Sequence, residues 1–255
     1  MEPRLGGRTI VVTGGAHGIG RAYCHRLAVE GAAVMVADID GPAAASVARA
    51  IRQQGGQALD AALDVTDLEA LREMAASAVA TFGGIDGLIN NAGMLTILPI
   101  SRVGFEDIPE AEWQRVIDVN LKGTWYACRA VVPYLRERGG GSIVNIGSGT
   151  FFNGSPTRIH YVASKGAIMG FTRTLARELG PDRIRVNTLV PGSTLSEEEP
   201  SPRLVEMRER QAVTRAFPRL ELPEDLTGTA VYLLSDDSAY VTGQAIVVEG
   251  GGILH

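Results

Sequence analysis

Short apolar runs alternate along this chain with longer segments whose apolar residues recur every three or four positions, and the alternation predicts the architecture. Thr9-Ile10-Val11-Val12, Ala33 to Ala37, Leu88-Ile89, Ser142 to Ile146, Arg185 to Val190 and Ala245 to Val248 read as strands buried on both faces, with Ala58 to Leu63 a weaker one. Between them Gly41 to Gln54, Leu68 to Phe82, Glu110 to Arg138 and Ala163 to Leu179 carry the helix period. Parallel strands need crossovers long enough to hold a helix, so this order predicts a single-domain α/β chain over residues 1–255. The expected form is a doubly wound parallel sheet with helices on both faces. The stretch 192–218 is irregular and carries Glu197-Glu198-Glu199-Pro200-Ser201-Pro202 before a charged helical segment. It reads as a substrate lid, the plainer reading being a solvated charged loop.

Composition narrows the function. A net charge of −5 gives no basic footprint, so neither nucleic acid nor an anionic membrane surface is an expected partner. No apolar run approaches the ~18 residues of a membrane span. The first residues lack the apolar core and cleavage site of a signal peptide, and Cys24 and Cys128 cannot build a disulfide framework, which together predict a cytoplasmic protein. His17, Cys24 and His25 form the one nearby cluster of metal-ligand types, but no carboxylate completes a set, so no metal is expected.

Glycine is abundant, and several glycines sit where chemistry needs them. Directly after the first strand comes Thr13-Gly14-Gly15-Ala16-His17-Gly18-Ile19-Gly20, followed by a helical pattern to Glu30. Glycines there permit a tight turn and close approach of a pyrophosphate, while free N–H groups at the helix start hold the anion. His17 and Ile19 belong to the same expected loop. Asp38 ends the second strand, where a carboxylate accepts from the adenosine ribose hydroxyls and repels a 2′-phosphate, which favours NAD. The competing reading of Asp38 as a helix N-cap is weakened by Asp40, an equally good cap.

From Thr9 to Gly251 the chain resembles the short-chain dehydrogenase/reductase family, with its Rossmann-type fold. The resemblance rests on the TGxxxGIG loop, Asp64-Val65, Asn90-Asn91-Ala92-Gly93, Asn120, Ser148, Tyr161-x-x-x-Lys165, Pro191-Gly192 and Thr242-Gly243-Gln244, all in family order. It implies that Asp64 and Val65 hold the adenine and that Asn91, Ala92 and Gly93 line the cofactor cleft. Pro191, Gly192 and Thr194 would then close over the nicotinamide end. It further implies that Lys165 binds the nicotinamide ribose, that Asn120 keeps a water linking Lys165 to solvent, and that the protein is a homotetramer. Three positions depart from the family pattern: Gly147-Ser148 replaces paired serines, Ser196 replaces a threonine, and Glu249-Gly250-Gly251 carries Glu where Asp is commoner.

The chemistry follows from the residues as well. Tyr161 and Lys165 are four apart and share one helix face, and a nearby ammonium favours a phenolate, making Tyr161 a general acid and base. Ser148 is expected to hydrogen-bond the substrate oxygen. Met94, Leu95, Thr150, Phe151, Phe152, Leu204 and Met207 are the expected pocket lining and suggest a hydrophobic or aromatic alcohol or ketone, although Phe151 and Phe152 read equally well as partly core. Resemblance to 3-oxoacyl-carrier-protein reductases is nearly as good as that to bacterial aryl alcohol dehydrogenases, but Asp38 opposes the NADPH such reductases use. A catalytically idle dinucleotide sensor is the rival from another class.

Overall fold

A computed structural model describes residues 3–95 and 99–254. Seven strands form one sheet: β1 (Thr9–Thr13), β2 (Ala33–Asp38), β3 (Gln57–Ala62), β4 (Gly87–Asn90), β5 (Gly141–Ile146), β6 (Ile184–Pro191) and β7 (Ala245–Val248). Their order is β3-β2-β1-β4-β5-β6-β7, and every pairing is parallel. The chain winds outward from β1 to β3, then returns to place β4 on the other side of β1. This leaves a crevice at the carboxyl ends of β1 and β4, where open α/β sheets take their ligands.

Successive strand residues face opposite sides, so Val11 joins Met35, Leu88, Ile143 and Val186 in one core, while Ile10 and Val12 join Val34, Ile89, Val144 and Leu189 in the other. The second core is closed by α1 (Gly18–Val29), α2 (Gly41–Gln53) and α9 (Pro223–Leu234). The first lies under α3 (Leu68–Phe82), α4 (Glu110–Ile117), α5 (Gly123–Glu137) and α7 (Ile159–Leu179). The remaining helices are α6 (Thr150–Asn153) and α8 (Pro202–Ala212). Among the described residues no helix is long and apolar enough to cross a membrane.

Three elements differ from the sequence expectation. Strand β7 lies at the sheet edge and is only half-buried, because among the described residues β6 is its one neighbouring strand. The single helix expected from Glu110 to Arg138 contains a wider π turn at Asp118–Lys122. Helix α7 starts at Ile159, one turn before Ala163, because Thr157 takes a left-handed φ of 65° and resets the chain direction just ahead of it.

Candidate active site

The glycine loop is shaped by what a side chain would strike. A Cβ on Gly14, whose φ is +65°, would stand 2.8 Å from the Ala92 Cα, and one on Gly20 would stand 1.9 Å from the Gly14 carbonyl oxygen. Asn91 Nδ2 donates to that carbonyl at 2.8 Å, so the Asn91–Gly93 segment after β4 and the loop after β1 are laced together. His17 precedes α1 without capping it, and its Nε2 lies 2.9 Å from Asp40 Oδ2. The first N–H groups of α1, at Gly18, Ile19 and Gly20, thus meet no side-chain cap, and they fit the pyrophosphate of a dinucleotide.

Asp38 is buried at the end of β2. Its Oδ2 accepts the Ala16 N–H and its Oδ1 the Asp40 N–H, each at 3.0 Å, while Asp40 caps α2 by accepting from Ala43 N–H. The N-cap reading of Asp38 is thereby excluded. Each Asp38 oxygen keeps a lone pair for a further donor. Asp64 accepts from Thr66 and Arg115; burial works against its charge, yet these donors hold its carboxyl below the usual range. Val65 is buried and packs on Gly123.

The reacting end lies beyond β5. Backbone bonds from Gly147 N–H to Leu189 O and from Gly149 N–H to Pro191 O carry Ser148 past the strand, and a Cβ on Gly147 would press on Thr188 and Val190. That crowding explains glycine at the position where the family pattern has a serine. The Ser148 and Thr150 hydroxyls share a hydrogen bond of 2.9 Å. Tyr161 is 5% exposed and sits in the first turn of α7. Burial pushes its phenol above the ordinary range, outweighing the Ser148 hydroxyl beside it and the charges of Arg158 and Arg102. Burial thus works against the phenolate that the sequence reading expects beside an ammonium and a nicotinamide ring.

Lys165 stands one turn further along α7 and donates from Nζ to Ile146 O at 2.8 Å; burial lowers its ammonium to about 8. A Cβ on Gly93 would lie 3.6 Å from that Nζ and 3.3 Å from Asn120 Oδ1, which brings Gly93, Lys165 and Asn120 to one point. Asn120 occupies the π turn, its Oδ1 accepting from Met94 N–H and its Nδ2 donating to Ser164 Oγ. Wide turns of this kind recur at functional sites because they re-aim backbone groups.

The 192–218 segment lies across the glycine loop, with Ser196 against Gly18 and Glu198 paired with Arg21. Glu221 fixes its root, accepting from Gly192 N–H at 3.1 Å and from the Thr194 hydroxyl at 2.6 Å. The Thr194 hydroxyl is thus committed inside the protein, whereas Ser196 lies against Gly18 of the loop. Pro191 ends β6. Arg215 lies between Glu221 and Glu249, all three buried, a network that sequence reading misses because Arg215 and Glu221 belong to no motif and Glu249 stands out only as a departure from the family pattern. Of the expected pocket residues, Met94 is buried, whereas Phe151 is 44% exposed and rests over Gly166 of α7. An open cavity at the β7 edge, lined by Phe217, Val248, Gly251 and Leu254, includes none of Ser148, Tyr161 and Lys165.

Comparison with known proteins agrees with this geometry. Residues 8–202 match the family described as short chain dehydrogenase. The 3-oxoacyl-(acyl-carrier-protein) reductase of Thermotoga maritima is 36% identical, over 98% of this chain and 100% of its own. A 3-alpha-(or 20-beta)-hydroxysteroid dehydrogenase of Mycobacterium tuberculosis is 38% identical, over 99% and 92% respectively. A solved structure from Sinorhizobium meliloti 1021, provisionally assigned as a short-chain alcohol dehydrogenase, superposes with a TM-score of 0.90 at 34% identity, covering 99% of this chain and 98% of that one. The chain belongs to the short-chain dehydrogenase/reductase family, oxidoreductases that act on CH–OH groups and their ketones with a nicotinamide cofactor.

Proposed function

We propose that this enzyme interconverts a secondary alcohol and its ketone with NAD(H), on a substrate with an apolar or aromatic body. The observation that carries the reading is the Ser148 hydroxyl beside the Tyr161 phenol, with Lys165 one turn along α7 and next to Gly93. A bound nicotinamide would supply the hydride chemistry at the carbinol carbon. Ser148 positions the substrate oxygen. Tyr161 takes the hydroxyl proton in oxidation and gives it back in reduction. Lys165 holds the nicotinamide ribose and keeps positive charge near the phenol, with Asn120 fixing the adjoining loop through Met94. Gly14, Gly18, Ile19 and Gly20 cradle the pyrophosphate, Asp64 and Val65 border the adenine, and the 192–218 segment covers the site as a lid through Ser196. A screen of NAD reduction over secondary alcohols, run beside the matching ketones with NADH, tests this; absence of turnover across both panels rejects it and revives the sensor reading.

Asp38 is the basis for NAD. Two like charges about 4 Å apart repel by roughly 4 kcal/mol at an effective dielectric of ~20, and the glycine loop carries no Arg or Lys to offset a 2′-phosphate, its His17 being paired with Asp40 and the following Arg21 with Glu198. NADH is expected to exceed NADPH in kcat/KM by about 10²-fold once solvent screening is allowed for. Asp38→Ala narrows that ratio and weakens both cofactors, because the Ala16 N–H loses its anchor. Steady-state kinetics with both cofactors decide it, and a higher kcat/KM with NADPH in the parent protein rejects the assignment. The same observation stands against an NADPH-dependent acyl reductase.

A homotetramer is part of the proposal, with α4, α5, α7 and β7 at its interfaces, faces that leave Trp113 and Trp125 exposed in the single chain. Light scattering is expected to give four times 27.0 kDa, and a stable monomer at micromolar concentration rejects it. The two cysteines are free and buried, as suits a cytoplasmic setting.

A further inference from the structure

Arg158 and Arg102 bring positive charge to the Tyr161 end of the cleft. Arg158, immediately before α7, holds its guanidinium carbon 5.9 Å from the centre of the Tyr161 ring, and its Nε donates to Ser155 Oγ at 2.6 Å. Thr157 ahead of it is held left-handed, a strained backbone for a β-branched residue that persists only where its surroundings demand it.

Arg102 reaches the same region from the loop before α4. Its neighbour Ser101 donates to Glu112 Oε1 through the N–H at 3.1 Å and the hydroxyl at 2.7 Å, and His160 Nε2, next to Tyr161, lies 2.9 Å from that same oxygen. One carboxylate oxygen therefore clasps the residues adjoining Arg102 and Tyr161 and fixes the arginine's loop against the start of α7. Arg208 on α8 is a third cation nearby, but it is compensated, donating to Glu197 Oε1 at 2.7 Å. Among the described residues neither Arg102 nor Arg158 has a carboxylate partner. Burial and then the charge of Arg102 work against the Arg158 guanidinium, with Arg208 adding to them. In a chain of net charge −5, guanidiniums without a carboxylate partner near the Tyr161 ring are a local exception to the overall balance.

We propose that Arg102 and Arg158 bind an oxyanion carried by the substrate itself, a carboxylate or a phosphate ester, so that the hydroxy or oxo substrate bears, besides its apolar part, an anion held beside Tyr161. Guanidinium matches both groups in its planar fork of donors. The proposal rests on the hydride-transfer reading above and adds to it the chemical class of the substrate.

The test compares levulinate with its methyl ester and dihydroxyacetone phosphate with dihydroxyacetone, each reduced with NADH by the parent protein and by Arg102→Gln and Arg158→Gln. Arg210→Gln, an exposed α8 arginine paired with Glu206, is the control. At least one anion is expected to exceed its neutral partner in kcat/KM by about 10- to 100-fold, chiefly through KM, as charge-assisted hydrogen bonds allow. Each of the two site variants brings that ratio to within about threefold, whereas Arg210→Gln preserves it. The pair showing the effect identifies the anion's source.

The proposal is overturned if neither pair shows a preference in the parent, or if the preference survives both substitutions. It is also overturned if the variants slow charged and neutral substrates equally, as they would were Arg158 there only to support the Tyr161 phenolate. Should none of these ketones react while other ketones do, calorimetry of levulinate and of inorganic phosphate binding to the NADH-loaded protein decides. Binding of either that Arg158→Gln abolishes sustains the proposal, and equal binding, or none, ends it. If no ketone of any kind is turned over, the hydride-transfer reading is what fails, and the same calorimetry still decides the anion site.

Discussion

Tyr161→Phe is expected to leave a folded protein that binds NADH and reduces ketones at least about 10²- to 10⁴-fold more slowly, the usual contribution of a positioned general acid or base. The ring is buried against the first core, and Phe retains it. Only the hydroxyl beside Ser148 is lost, so the change falls on proton transfer and not on packing. The direction of the phenol's shift also fixes the sign of the pH dependence. Burial raises it, so at neutral pH Tyr161 is protonated, ready to donate in reduction and unready to accept in oxidation. Alcohol oxidation by the parent protein is therefore expected to rise with pH as the phenol deprotonates, and ketone reduction to fall. A cationic nicotinamide and a protonated Lys165 act in the lowering direction and oppose the effect of burial on that midpoint. Circular dichroism and NADH fluorescence establish folding and binding of the variant. Ketone reduction by folded Tyr161→Phe within about threefold of the parent is too small a loss for a removed general acid and rejects the assignment.

The parts of this fold that the sequence reveals are those for which burial leaves a one-dimensional trace. Parallel strands covered on both faces read as apolar runs, which is why β1, β2, β5 and β6 lie within a residue or two of their expected bounds. The π turn at Asp118–Lys122 is invisible in the same way, since one extra residue in a helical turn barely disturbs the apolar spacing of Glu110 to Arg138. The start of α7 is hidden because it depends on the left-handed Thr157, a conformation that no residue pattern announces for threonine. Within the site, the motif residues Ser148, Tyr161 and Lys165 are legible through order and spacing, and the structure supplies their surroundings. Arg102 and Arg158 carry no such signal. They lie 56 positions apart in sequence, and their common neighbourhood depends on Glu112 accepting from both Ser101 and His160, a contact made only once α4, α7 and the loop before α4 are folded. At the lid root the structure adds what the resemblance leaves open: the Thr194 hydroxyl is bonded to Glu221, and Ser196, at the family's threonine position, lies against Gly18 of the glycine loop.

Lys165→Met is expected to abolish most activity and at the same time to stabilise the fold at neutral pH. Lys165 is 6% exposed, and burial lowers its ammonium from 10.5 to about 8. The folded state therefore binds this proton less tightly than the unfolded chain does. Below about pH 8 the native protein still carries the buried charge and bears the full cost. Between that pH and 10.5 the cost falls as the folded form loses its proton first, and above 10.5 it has vanished, because both states are neutral. At about 1.4 kcal/mol per pH unit the cost at pH 7 is roughly 3 kcal/mol. Methionine has a similar length and no charge, so it removes this term while keeping most of the packing. The opposing loss is the hydrogen bond from Nζ to Ile146 O, since leaving that carbonyl unpaired costs about 1–3 kcal/mol. The two terms leave the variant level with the parent or up to about 2 kcal/mol more stable at pH 7, a rise in Tm of up to several degrees for a chain of this size. At pH 10 the charge term has largely gone and the lost hydrogen bond remains, so the variant is expected to fall below the parent. Thermal unfolding of both proteins at the two pH values, with NADH affinity and kcat/KM for a reduced ketone measured alongside, checks this. A variant that is destabilised equally at pH 7 and pH 10 contradicts the buried charge, and one that retains activity within about threefold contradicts the catalytic role of Lys165.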